Sequence, residues 1–130
     1  MDHQIIIFVC EHGAAKSIVA ATHFNQLATQ RRLNLTAVAR GTNPDHELSE
    51  ATIQGLSKDG LVLTKLTPQK LSFEEALSAQ RIISFCELPN EVVEKVTTEQ
   101  WEGIPAVSEN YDQARDAIVE RIEDLLNRIG

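Results

Sequence analysis

The first apolar stretch, Ile5-Ile6-Ile7-Phe8-Val9, shows no polar alternation and is rich in β-branched and aromatic side chains. That pattern predicts a strand covered on both faces, as in a parallel sheet. A small-residue stretch, Gly13-Ala14-Ala15, comes next, and then Ala20, Ala21, Phe24, Leu27 and Ala28 recur at helical spacing. Strand, tight loop and helix therefore follow one another directly. Leu35 to Ala39 predicts a second strand, with Gly41-Thr42-Asn43-Pro44 as the turn signal after it. A helix over Ser49 to Lys58 is closed by Asp59-Gly60, with Gly60 as the left-handed cap. Ser72-Phe73-Glu74-Glu75 matches a capping box and predicts a short helix near 72–79.

Arg81 to Phe85 predicts a third strand that delivers Cys86 at its carboxyl end, and a short helix covers Glu91 to Val96. Trp101 to Val107 is the expected fourth strand, interrupted by Gly103 and Pro105. The last segment places Ala114, Ile118, Ile122, Leu125, Leu126 and Ile129 on one helical face. Strands alternating with helices predict one α/β domain over residues 1–130, three layers deep, with a four-stranded parallel sheet and helices on both faces. Ligands of such sheets sit outside the carboxyl ends of the strands. Cys10 and Cys86 both fall at such ends, which predicts that they are neighbours.

Composition narrows the class of partner. The net charge of −7 is uneven: residues 1–85 carry eight acids and eight bases, whereas residues 86–130 carry eleven acids and four bases. Nucleic acid and anionic membranes are poor partners for such a surface, and the acidic half reads as a solvated helix face. No apolar run approaches a membrane span, and Met1-Asp2-His3-Gln4 has no basic region before the short Ile5–Val9 run, so a cytoplasmic location is expected. Two cysteines far apart do not make a disulfide framework. His3, His23 and His46 have no metal-like spacing, and no metal or cofactor is expected. Trp101 reads as a core anchor.

The candidate chemistry lies in Cys10-Glu11-His12-Gly13-Ala14-Ala15-Lys16-Ser17. A strand ends on a thiol, small residues let the backbone wrap, and a helix begins where its free amides point back over the sulfur. Residues 11–17 would then form a nest for a tetrahedral oxyanion. The same amides favour a thiolate at Cys10, Lys16 adds a positive charge, and Ser17 can donate its hydroxyl to the sulfur. The alternative reading of Cys10 is an ordinary buried thiol at a strand end. His12 contacts an anion or faces solvent, and the solvent-facing reading is preferred.

This segment resembles the signature of the low-molecular-weight tyrosine phosphatases and their arsenate reductase relatives: cysteine, five residues, arginine, then serine or threonine. The resemblance continues through Ala39-Arg40-Gly41-Thr42-Asn43-Pro44, Leu48-Ser49-Glu50-Ala51, Lys58-Asp59-Gly60-Leu61, Leu71-Ser72, Arg81 to Cys86 and Trp101 to Ile129, nearly the whole chain. It implies the phosphotyrosine phosphatase I-like fold, with Cys10 as nucleophile and phosphate, sulfate or arsenate as the anion bound. It also implies an arginine that grips equatorial oxygens and an Asp-Pro pair that protonates the leaving group.

Three positions depart from that pattern. Lys16 stands at the arginine, Gly13 at an asparagine that braces the loop, and Ala106-Val107 at the Asp-Pro acid. Lysine is a point charge that cannot reproduce a planar fork, so binding is expected to survive better than turnover. Glu11 sets a carboxylate beside the nucleophile, opposing both the anion and the thiolate. Glu109 and Asp112 are nearby acids, read as solvated or capping residues rather than as replacements for the lost aspartate.

Cys86 resembles the first resolving cysteine of thioredoxin-coupled arsenate reductases. Val93 stands at the seventh residue after it and the chain has no third cysteine, so the full relay is excluded. A Cys10–Cys86 disulfide and a core thiol are the remaining readings of Cys86. Three functions follow as alternatives: a weakly active oxyanion-binding phosphatase or reductase, a non-catalytic module for an anion or a protein partner, and a thiol redox sensor.

Overall fold

The computed structural model describes residues 3–61 and 66–129. The elements run β1 (Gln4–Cys10), α1 (Lys16–Gln30), β2 (Leu35–Gly41), α2 (Glu50–Lys58), α3 (Phe73–Ser78), β3 (Arg81–Ser84), α4 (Asn90–Lys95), β4 (Thr98–Gln100) and α5 (Tyr111–Ile129). The four strands form one parallel sheet in the order β2-β1-β3-β4.

Ile6 to Val9 are buried to 1% exposure or less, so the unalternating apolar run is a central strand shielded on both sides. Its side chains divide between two cores. Ile6 and Phe8 join Ile83 and the buried stripes of α1 (Ala20, Ala21, Phe24) and α5 (Ala114, Ile118, Ile122, Leu125, Leu126). Ile7 and Val9 join Ile82 with Ala76 of α3 and Val92 of α4 on the other side. The three-layer expectation is met. Trp101 anchors the larger core, its ring 5.7 Å from Phe8 and 5.9 Å from Phe85, while Phe8 stands edge-on to Phe24 at 5.8 Å. Each such pair contributes roughly 0.5–1.5 kcal/mol beyond burial.

Local signals hold at most element ends. Ser49 accepts from the Thr52 amide as the cap of α2, and Gly60 takes φ +79° after it. Ser72 and Glu75 form the reciprocal capping box of α3. β2 lies at one edge of the sheet, where Asn25 of α1 satisfies the outward backbone of Ala37: the Ala37 amide donates to Oδ1 at 2.7 Å and Nδ2 donates to the Ala37 carbonyl at 3.0 Å. That contact satisfies one rung of the edge that would otherwise be open to another chain.

The fourth strand departs from expectation. It is Thr98–Gln100, three residues earlier than the Trp101–Val107 segment whose hydrophobicity marked it. Trp101, Ile104 and Val107 are buried because they plug the core beneath a loop, with Gly103 at φ +77°. Hydrophobic spacing alone does not separate an apolar loop from a strand. Among the described residues, no helix is long and apolar enough to cross a membrane.

Candidate active site

Chain order reverses direction across the sheet at β1: β2 lies on one side of it and β3 on the other. The loop leaving its carboxyl end thus occupies the switch point where sheets of this kind bind ligands. Val9 is in register with Ser84, and Cys10 with Gly41, so residues following β1, β2 and β3 converge there.

The loop from Cys10 to Ser17 is braced from outside through its carbonyls. Cys10, Glu11, His12 and Ala14 accept hydrogen bonds from the amides of Thr42 (3.3 Å), Asn43 (2.7 Å), Asp45 (3.0 Å) and Ser49 (3.0 Å). Among the described residues, no amide from Glu11 to Ala15 donates to a backbone carbonyl outside the regular elements. Helix α1 opens at Lys16 behind Ala15, which has no side-chain oxygen to cap it, and its first turn holds no acid. Its first amides are therefore left without a side-chain cap.

Gly13 explains why this tight loop closes. It adopts φ +61°, and a Cβ there would lie 2.9 Å from the Gly41 nitrogen; a Cβ on Gly41 would lie 2.8 Å from the Gly13 nitrogen. Two backbones are in direct contact, and glycine permits both the left-handed turn and the approach.

Cys10 Sγ is buried and sits 2.9 Å from Ser17 Oγ, itself fully buried. Above it opens a cavity of about 260 Å³. Cys10, Glu11, His12, Ala14, Ala15 and Lys16 line it; Gly13, packed against Gly41, and Ser17, in contact with the Cys10 sulfur, do not. Lys16 is half-buried and makes no ion pair among the described residues. Arg40, the one arginine on the adjacent strand, does not line the cavity: its Nε donates to both oxygens of Glu75, at 2.9 and 3.1 Å.

The opposite wall is Ala106, Val107 and Ser108, so the position matched to the family's acid does face the sulfur's cavity and carries no acid. Neither Glu109 nor Asp112 lines it. Asp112 is held at the start of α5 by Lys58 Nζ at 2.8 Å, and that hydrogen bond lowers its carboxyl below the usual range. The cap of α5 is Asn110, whose Oδ1 accepts from the Gln113 amide. His12 is 53% exposed while lining the cavity, and its Nδ1 stands 3.2 Å from Asp45 Oδ1.

Asp45 and Ser49 line the cavity and are absent from the sequence-based site. The available signal was the loop after β2, which leaves the same sheet end as Cys10, but only the register Cys10↔Gly41 brings position 45 over position 12.

Cys86 is a free, half-buried thiol, as is the buried Cys10. It lines a separate cavity with Ser84, Leu88 and Val93. Burial is the main cause raising its thiol above the ordinary range, and the nearby charges of Cys10 and Glu11 raise it further. Ser84 and Thr42 hydroxyls act in the opposite direction.

Comparison with known proteins agrees with this architecture. The chain belongs to the low-molecular-weight phosphotyrosine protein phosphatase family, whose sequence model matches residues 5–125. Its fold is that of YfkJ from Bacillus subtilis (TM-score 0.83, 17% identity, 99% of this chain and 96% of that one). A low-molecular-weight phosphotyrosine phosphatase from Vibrio cholerae O395 is similar at TM-score 0.80 and 16% identity, over 96% and 95% of the two chains. An arsenate reductase in its phosphate-binding state is similar at TM-score 0.80 and 20% identity, over 98% and 99%. No curated protein sequence matches significantly.

Proposed function

We propose that this chain binds a phosphate-like oxyanion in the Cys10–Ser17 loop and carries at most weak Cys10-dependent phosphatase or reductase activity. The observation that carries the reading is the single cavity that joins Cys10 and Lys16 to Ala106. Nucleophile, loop and one cation are retained, while the wall where a leaving group would take its proton is a methyl group. The similar arsenate reductase solved in a phosphate-binding state supports phosphate, sulfate or arsenate as the anion.

The two losses act on different parts of catalysis. An ammonium neutralises charge without the paired hydrogen bonds of a guanidinium, and a lost donor of that kind typically costs about 10²–10³ in turnover. A missing general acid costs about 10²–10⁴. A loop built on Gly13 and outward carbonyls binds an anion without either group.

Steady-state hydrolysis of an aryl phosphate beside a Cys10→Ser control tests the reading. Low turnover abolished in the control is expected. Robust Cys10-dependent turnover would refute the impaired-enzyme reading, and no turnover with retained phosphate binding would make the chain a non-catalytic anion module on one domain.

A second reading has an observation of its own: Cys86 is a free, half-buried thiol just past β3, the strand that pairs with the one ending at Cys10. On that reading the two thiols close a disulfide under a two-electron oxidant, each losing one proton.

A further inference from the structure

Ala106 leaves the cavity wall without an acid, and neither Glu109 nor Asp112 lines the cavity. The titratable side chains that do line it, besides Cys10, are Glu11, His12, Lys16 and Asp45. Of these types, only imidazole ordinarily titrates near neutrality and so can both give and take a proton there.

His12 is also the one held in place. Asp45 fixes it twice: its backbone amide donates to the His12 carbonyl at 3.0 Å, and its Oδ1 stands 3.2 Å from the ring Nδ1. On the other edge, Glu11 Oε2 is 3.9 Å from Nε2, too far for a hydrogen bond. Nδ1 is thus occupied by a carboxylate and Nε2 is left for a ligand, the arrangement of a base with its orienting partner.

We propose that His12, positioned by Asp45, is the proton donor to the leaving group in Cys10-dependent hydrolysis, the role left open by Ala106. The proposal rests on the oxyanion-loop reading above. In the first step Cys10 Sγ forms a bond to phosphorus, the bond from phosphorus to the ester oxygen breaks, and that oxygen takes the proton from His12 Nε2. In the second, Nε2 takes a proton from water as its oxygen attacks phosphorus. The sulfur–phosphorus bond breaks, returning thiolate, inorganic phosphate and protonated His12. On this assignment His12, which lines the cavity with Cys10, gives the proton, and Asp45 acts through His12 as a positioning residue.

The test uses the full chain and two esters: 2,4-dinitrophenyl phosphate, whose leaving group needs no proton, and phenyl phosphate, whose leaving group does. Parent, Cys10→Ser, His12→Gln, His12→Ala and Asp45→Asn are compared. The expected result is that His12→Gln lowers phenyl phosphate hydrolysis by roughly 10²-fold and dinitrophenyl hydrolysis by less than about 10-fold. Asp45→Asn should lower phenyl phosphate hydrolysis by about 10-fold with the same leaving-group selectivity, which a general structural defect would not produce. Free imidazole should restore part of the loss in His12→Ala.

Equal losses on both esters, or no loss on phenyl phosphate, would overturn the assignment. Protection of Cys10 from alkylation by inorganic phosphate, measured on the same samples, separates the two readings. Protection without Cys10-dependent turnover of either ester sinks the His12 role and leaves the binding site standing. Absence of both sinks the site as well.

Discussion

Ser17 Oγ lies 2.9 Å from Cys10 Sγ, and both atoms are buried at the junction of β1 and α1. A hydroxyl at that distance is a donor to the sulfur when the sulfur carries charge, and hydrogen bonds to charged groups are worth about 1.5–3 kcal/mol. Ser17→Ala should therefore slow iodoacetamide alkylation of Cys10 by roughly 10-fold at neutral pH. Thermal stability should change little, since alanine leaves only a small void. An unchanged alkylation rate would show that the hydroxyl does not support the thiolate.

The contact between Gly13 and Gly41 makes a second prediction. Alanine at position 13 meets both a left-handed φ of +61° and a backbone nitrogen 2.9 Å from its Cβ. The conformational penalty alone is about 1–2 kcal/mol, and relief of the clash displaces the loop. Gly13→Ala should lower stability by roughly 2–4 kcal/mol in urea denaturation and weaken phosphate binding. Gly60→Ala, with nothing within 4 Å of its Cβ, isolates the cost of positive φ alone and should be milder.

Repairing the loop and the wall together should exceed repairing either. Lys16→Arg restores a bidentate grip and Ala106→Asp places an acid on the wall facing Cys10. The new acid adds to His12, and it serves poorly a phosphoryl group that is loosely held, so its gain depends on Lys16→Arg. Aryl phosphate hydrolysis by the double variant should exceed the product of the two single gains. Simple additivity would place the defect elsewhere.

Much of this site was legible in the sequence because its parts are local. Ile5–Val9, the small residues after Cys10 and the helical spacing from Ala20 place the loop without reference to any other element. Gly60 and the Ser72–Glu75 box likewise declare their own geometry. The misplacement of β4 has the opposite cause: Trp101, Ile104 and Val107 are apolar because they fill the core under a loop, and only tertiary packing distinguishes that from a strand. Asp45 was missed for a related reason, since its place over His12 depends on the pairing of β1 with β2.

A buried polar cluster away from the site gives a pH dependence. His23 is 7% exposed, its Nε2 has no hydrogen-bond partner among the described residues, and Asp59 Oδ2 stands 3.7 Å away. Burial is the main cause that lowers its pKa below the ordinary 6.5, outweighing Asp59, while Arg115 lowers it further. A depressed histidine binds fewer protons folded than unfolded, so stability falls as pH drops below about 6.5 and is insensitive to this group above it. Asp59 also accepts from Tyr111 Oη at 2.7 Å and Arg115 at 2.8 Å, and Asp112 and Asp116 face Arg115. His23→Gln should flatten the fall in melting temperature below that pH relative to the parent. An identical slope in both proteins would mean that His23 is not the group responsible.

The central claim is that the amides between Cys10 and Ser17 form a working oxyanion site, and alkylation of Cys10 reads it directly. The iodoacetamide reaction is followed by intact mass across a phosphate titration at constant ionic strength, with Cys86→Ser removing the second thiol. The account predicts saturable protection by phosphate, by arsenate and by sulfate, weakened at least about 10-fold by Lys16→Ala. An alkylation rate that does not respond to any of these anions would contradict it.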